Sequence, residues 1–123
     1  LNWEFEYHDA AAYLEVRITG SLSHADLNAM AKERWAEMQK RNCRKILFDF
    51  SRIGSTMSVA DIYARPSETE RIGVPRVNRT AAVVPQAFLE EFRFMETVYK
   101  NRGFDLNVFT RKEDALRYLE EAV

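Results

Sequence analysis

Apolar and polar positions change their period along the chain, and the changes mark its elements. Trp3, Phe5 and Tyr7 alternate with Asn2, Glu4 and Glu6, the period of two expected of a strand with one buried face. His8 to Ala12 is short enough to turn a hairpin, and Leu14, Val16 and Ile18 then alternate with Glu15, Arg17 and Thr19 until Gly20. The charged alternate face predicts a pair open to water on one side, with His8 solvated in the turn. From Ser23 the period lengthens. Leu27, Ala31 and Met38 fall on one helical stripe with Met30 and Trp35 beside it. Ser23 and Asp26 predict an N-cap, His24 is expected exposed in the first turn, and Lys40 and Arg41 suit the end of a helix running to about Asn42.

The run Lys45-Ile46-Leu47-Phe48-Asp49-Phe50-Ser51 is nearly continuous in apolar residues and predicts a strand buried on both faces, in the middle of a parallel sheet. Its polar end leads into a predicted loop from Arg52 to Met57, at the strand end where ligands collect in open α/β sheets. Asp49 and Ser51 are expected to be structural, fixing this loop through hydrogen bonds to backbone N–H groups. Ser58 with Asp61 opens a second helix with an apolar face of Val59, Ile62 and Tyr63. Pro66 is expected to kink it, end it or begin a further short turn, and Gly73-Val74-Pro75 stops any continuation. Thr80 to Val84 is a second buried strand closed by Pro85. Gln86 to Arg102 reads as the longest helix, with a core stripe of Phe88, Phe92, Met95 and Tyr99 and Gly103 as its cap. Leu106 and Val108 mark the last strand. Thr110 with Glu113 predicts a capping box, and Ala115, Leu116 and Leu119 give the final helix an inner face.

This order implies right-handed βα crossovers. The expected fold is α/β: a single-layer, mostly parallel five-stranded sheet with an antiparallel N-terminal edge strand and four main helices, forming one domain over residues 1–123.

Composition narrows the function classes. Eighteen basic residues oppose nineteen acidic ones for a net charge of −1, so no global field draws the chain to nucleic acid. No apolar run approaches the ~20 residues of a transmembrane helix, and no signal peptide opens the chain, so the cytoplasm is the expected location. Cys43 is the one cysteine, which excludes an intramolecular disulfide; its polar flanks predict an inert loop thiol.

Catalytic motifs are sparse. The glycines at 20, 54, 73 and 103 are isolated, so no phosphate loop is formed. Two histidines and one cysteine lie too far apart in sequence for metal-ligand spacing, and no G-x-S-x-G elbow occurs. The expectation is a protein that is not an enzyme and carries no cofactor or metal.

From Tyr13 to Glu121 the chain resembles the STAS-like domains, in particular the SpoIIAA-like family, which is classed with the STAS and CRAL-TRIO folds. The resemblance rests on Tyr13-Leu14-Glu15-Val16-Arg17-Ile18-Thr19-Gly20, Leu22-Ser23-His24-Ala25-Asp26-Leu27 and Ile46-Leu47-Phe48-Asp49-Phe50-Ser51. It continues through Asn101-Arg102-Gly103-Phe104 and Val108-Phe109-Thr110-Arg111-Lys112-Glu113-Asp114-Ala115-Leu116. It implies a non-catalytic binding or regulatory module acting through a protein partner or small ligand. The CRAL-TRIO side implies the alternative, a carrier of a small apolar ligand or lipid. In STAS-type anti-sigma-factor antagonists a serine at the start of the second helix, in an Asp-Ser-Ser-Gly context, is phosphorylated to switch partner binding. The matching stretch here is Ser55-Thr56-Met57-Ser58, with no aspartate before it and no glycine after it. Ser55, Thr56 and Ser58 are thus the candidate regulatory residues, with helix capping by Ser58 the simpler role and no phosphotransfer switch expected.

Two surface features remain. Arg52, Arg65, Arg76 and Arg79, with Arg71, are candidate contacts to an anionic ligand or acidic partner, set against a solvated face paired with Glu68 and Glu70. Phe94 and Val98 lie off the long helix's core stripe, and the expectation is that they form an outer strip through which the protein makes a homodimer, unless the final helix covers it.

Overall fold

The computed structural model describes residues 1–76 and 78–121. Its elements are β1 (Asn2–His8), β2 (Tyr13–Ser21), α1 (His24–Lys40), β3 (Lys45–Ser55), α2 (Val59–Ile72), β4 (Arg79–Val83), a 3-10 turn (Gln86–Phe88), α3 (Leu89–Asn101), β5 (Asn107–Phe109) and α4 (Lys112–Glu120). The strands form one sheet in the order β1-β2-β3-β4-β5. β1 is antiparallel to β2, and every other neighbouring pair is parallel. This is the architecture expected from the alternation of strand and helix patterns.

A parallel sheet whose order follows the sequence carries its right-handed crossovers on one face. Accordingly α1, α2 and α3 bury Leu27, Met30, Met38, Ile62, Phe92 and Met95 in the same cluster as Leu14, Val16, Ile46 and Phe48. The alternate residues Leu47, Ala81 and Val83 face the other way and meet Ala115 and Leu119 of α4. Ile46 and Leu47 are both fully buried, so β3 is covered on its two faces as its composition predicts. Among the described residues α4 is the sole helix on the second face, and it contacts β3, β4 and β5, which leaves the outer face of β1 and β2 to charged side chains.

Several boundaries depart from the pattern. β3 continues past Ser51 to Ser55, through the stretch expected as a loop, because it pairs with the end of β2 at Thr19–Arg52, Gly20–Ile53 and Ser21–Ser55. Asp49 still acts as expected, its Oδ1 accepting from Ser51 N at 3.0 Å. Helix α2 runs unbroken across Pro66, although the ring nitrogen has no proton for the Ile62 carbonyl. It ends at Gly73, whose φ of 91° lets its N–H and that of Val74 return to Glu70 and Thr69. The longest helix is α1, with 17 residues, against 13 in α3, where the segment after Pro85 is spent on the 3-10 turn. The Thr110–Glu113 box does not form. Arg111 occupies the N-cap of α4 without a side-chain bond, one position too late for Thr110, and Glu113 pairs with Arg111 instead.

Val98 is buried and Phe94 packs half-buried against the same core, so the two do not make an exposed strip. The cause is that α3 packs against α2 as well as over the sheet edge, which widens its apolar face. Cys43 is also buried; its thiol points at the carbonyls of Lys45 (3.1 Å) and Ala12 (3.6 Å), tying the start of β3 to the β1–β2 turn.

Candidate functional site

Two regions carry chemistry that the fold does not need. The first is the start of α2. β3 delivers the chain to Thr56 and Met57, Met57 is buried, and Ser58 caps the helix by accepting from Asp61 N at 3.2 Å. The Thr56 hydroxyl is enclosed and has no partner among the described residues. Of the apolar face expected here, only Ile62 turns inward. Val59 (67 % exposed) and Tyr63 (70 %) stand one turn apart on the outside, the most exposed large apolar side chains described. Ser58 is exposed beside them, whereas Ser55 and Thr56 are half-covered. The structure therefore joins a helix N-terminus, an exposed hydroxyl and a small apolar patch. That grouping suits contact with another macromolecule.

The second region is a cavity of about 80 Å3 under α1 and α2, between the helices and the sheet. Leu27, Met30, Phe48 and Met95 give it apolar walls, and Arg34 and Arg65 line it too. Both arginines are buried, at 9 % and 4 % exposure, and neither has a carboxylate partner among the described residues. Arg65 Nη1 donates to Asn28 Oδ1 (2.7 Å) and to His24 Nδ1 (3.1 Å). A guanidinium has no acceptor, so this contact places the His24 proton on Nε2. Arg34 is poorer in partners. Its guanidinium lies 5.1 Å from the Phe48 ring centre, its Nη1 reaches only Met38 Sδ at 3.8 Å, and its Nε has no partner. Burial pushes the Arg34 guanidinium down to about 10, with the charge of Arg65 acting in the same direction and Tyr99 opposing. Asn78, 5 % exposed, also lines the cavity with neither end of its side-chain amide partnered. The acid that reaches this wall, Asp105, is already engaged by Tyr118 Oη (2.6 Å), Thr80 N (3.0 Å) and Asn107 Nδ2 (3.0 Å).

The candidate arginines are thus dispersed. Arg65 is inside, not on the face where Arg71 pairs with Glu68 and Arg76 pairs with Glu70. Arg76 stands at the cavity rim, stacked 4.8 Å from Phe104. Arg79 stacks 4.1 Å from Tyr118 and donates to its carbonyl. Arg52 is exposed at the end of β3, on a separate open groove of about 450 Å3 shared with Arg17, Asp49 and Lys112. Arg34 was not singled out by its type, yet it occupies the core positions of α1 with Leu27, Met30, Ala31 and Met38. A charged residue on that stripe is the signal that marks it.

Beside the groove, Glu15 is 2 % exposed and holds Lys112 Nζ (2.9 Å), His8 Nε2 (2.8 Å) and Arg17 Nη1 (3.6 Å). Burial alone would push its carboxyl up, but the bonds from Lys112 and His8 outweigh that and hold it below the ordinary range. His8, expected in solvent, is half-buried and stacked on Tyr13 at 4.4 Å. Glu6, His8 and Glu15 present ligand atoms within 4.8 Å of one another. The cations already bound to Glu15 make this an ion-pair network, in which a metal ion would have to displace Lys112.

No family model matches the chain, and no curated protein matches it. Solved structures do. An anti-sigma factor antagonist from Mycobacterium paratuberculosis superposes with a TM-score of 0.66 at 15 % identity, covering 98 % of this chain and 94 % of that one. The anti-sigma factor antagonist SpoIIAA in its unphosphorylated form gives a TM-score of 0.55 at 17 % identity, over 98 % of this chain and 100 % of that one. Among the described residues no helix is long and apolar enough to cross a membrane. What is shared from end to end is the backbone: the chain has the SpoIIAA-like fold of the STAS type.

Proposed function

We propose that this protein is a non-catalytic regulatory module that binds a protein partner through the start of α2. The observation that carries the reading is the pair Val59 and Tyr63, exposed beside Ser58 on a helix that buries Ile62 and Pro66. An exposed Tyr at the centre of a small patch is a typical anchor for a protein interface. Two solved structures of the same fold are anti-sigma factor antagonists, which supports a regulatory partner of that kind. Ser58 serves as the N-cap, and its neighbours lack the Asp-Ser-Ser-Gly context, so binding is taken to need no phosphate.

The carrier reading is weaker. Pockets that enclose small organic ligands span ~300–1,000 Å3, and the cavity between the helices and the sheet is about 80 Å3, too small for a lipid chain.

The test is affinity purification from the source organism with wild type and with Val59→Ser/Tyr63→Ser, followed by quantitative mass spectrometry. A regulatory protein retained by wild type and lost with the double variant, at unchanged melting temperature, is the expected result. Equal recovery with both would refute the docking site.

A further inference from the structure

We propose that the cavity under α1 and α2 is a binding site for a small carboxylate with a short apolar tail, held by Arg34 with Arg65 in support. This is independent of the partner surface.

The chemistry follows from what the cavity holds. Two guanidiniums line one small space with no carboxylate on either. Buried cations are ordinarily paired, because removing an unpaired charge from water is costly. Arg34 has a buried Nε–H without an acceptor among the described residues and only a weak sulfur contact at Nη1, so its donor fork is unsatisfied and matches an acceptor with two oxygens. Asn78, whose amide has no partner among the described residues, adds a donor and an acceptor to the lining of the same cavity. Of the other polar side chains that line it, Thr69 and Tyr99 are hydrogen-bonded to each other and Asp105 is engaged by Tyr118 and Asn107, so the rest of the lining, with Leu27, Met30, Phe48 and Met95, suits methylene groups and not the further oxygens of a phosphate. The volume, about 80 Å3, limits the molecule to a few heavy atoms. Arg76 at the rim is occupied by Glu70 and the Arg102 carbonyl, so it does not compete for the ligand.

The effect should reach α2. Arg65 lies on that helix and reaches across to His24 and Asn28 of α1, so an anion between the arginines would fasten the two helices together.

The experiment titrates the folded protein with sodium butyrate, with inorganic phosphate and sodium octanoate at matched ionic strength as controls. Arginine Nε–H resonances and the melting temperature are recorded. The expected result is a saturable shift of the Arg34 Nε–H and a saturable rise in melting temperature with butyrate only, both lost in Arg34→Leu. The wild-type resonance alone decides the matter should the variant fail to fold. No saturation with butyrate, an equal response in folded Arg34→Leu, shifts confined to Arg17 and Arg52, or a response to phosphate in place of butyrate would each overturn the proposal.

Discussion

The two faces of the sheet bury charge in opposite ways. On the α4 face Glu15 is surrounded by Lys112, His8 and Arg17, so its charge is neutralised within the chain. On the other face Arg34 and Arg65 are equally buried and have neutral partners only. The first arrangement is complete as it stands: Lys112 and Arg17, the cations touching Glu15, are both partly in water, so desolvation falls on one group alone. The second is complete only with an acceptor from outside. Internal compensation therefore separates a charge that fastens the fold from one that the fold holds ready.

The comparison is broken most directly by Lys112→Met. It leaves Glu15 buried without its shortest lysine bond, and equilibrium unfolding in urea should show a loss of about 1–3 kcal/mol. Arg34→Leu should go the other way, since removing a buried unpaired charge in favour of an apolar side chain, even a shorter one, is expected to be neutral or to stabilise by about 1–2 kcal/mol. A loss in Arg34→Leu as large as that in Lys112→Met would mean that the protein itself compensates both charges.

Acid sharpens the contrast with a smaller effect. Glu15 is held below its ordinary value in the folded chain, so folding favours its charged form. Its contribution is fully present above the unfolded carboxyl value, about 4.3, and is lost as pH falls through the depressed folded value. The unfolding curves of wild type and Lys112→Met should converge there, while the difference between wild type and Arg34→Leu persists. The smallest effect belongs to Tyr63→Ser, outside both systems, which should change stability by no more than about 0.5 kcal/mol.

The sheet was legible because burial on one face or two leaves different periods, as β1 and β3 illustrate. The end of β3 was not. Ser51, Arg52 and Gly54 are polar or small because that end of the sheet is uncovered on one side, and exposure imitates a loop. Val98 misled for a related reason: the helical stripe was drawn for one neighbour, and α3 has two. Val59 and Tyr63 share an expected apolar face with Ile62 yet point outward, since nothing in spacing separates an apolar residue facing the sheet from one facing out. Arg65 was picked out by its charge but placed on the wrong side of α2. Its company at Ile62, Pro66 and Thr69, all buried, shows that position can outweigh side-chain type.

Cys43 gives this molecule a built-in clock. Its sulfur is buried and turned toward two backbone carbonyls, so a thiol reagent cannot reach it in the closed chain. Labelling must wait for the β1–β2 turn to part from the start of β3. Under fast reclosing the labelling rate reports the population of that open form, with no probe added and no residue changed. Because the same strand runs on to the proposed partner surface, a bound partner that slows the clock would reveal tightening carried along β3 from one end to the other.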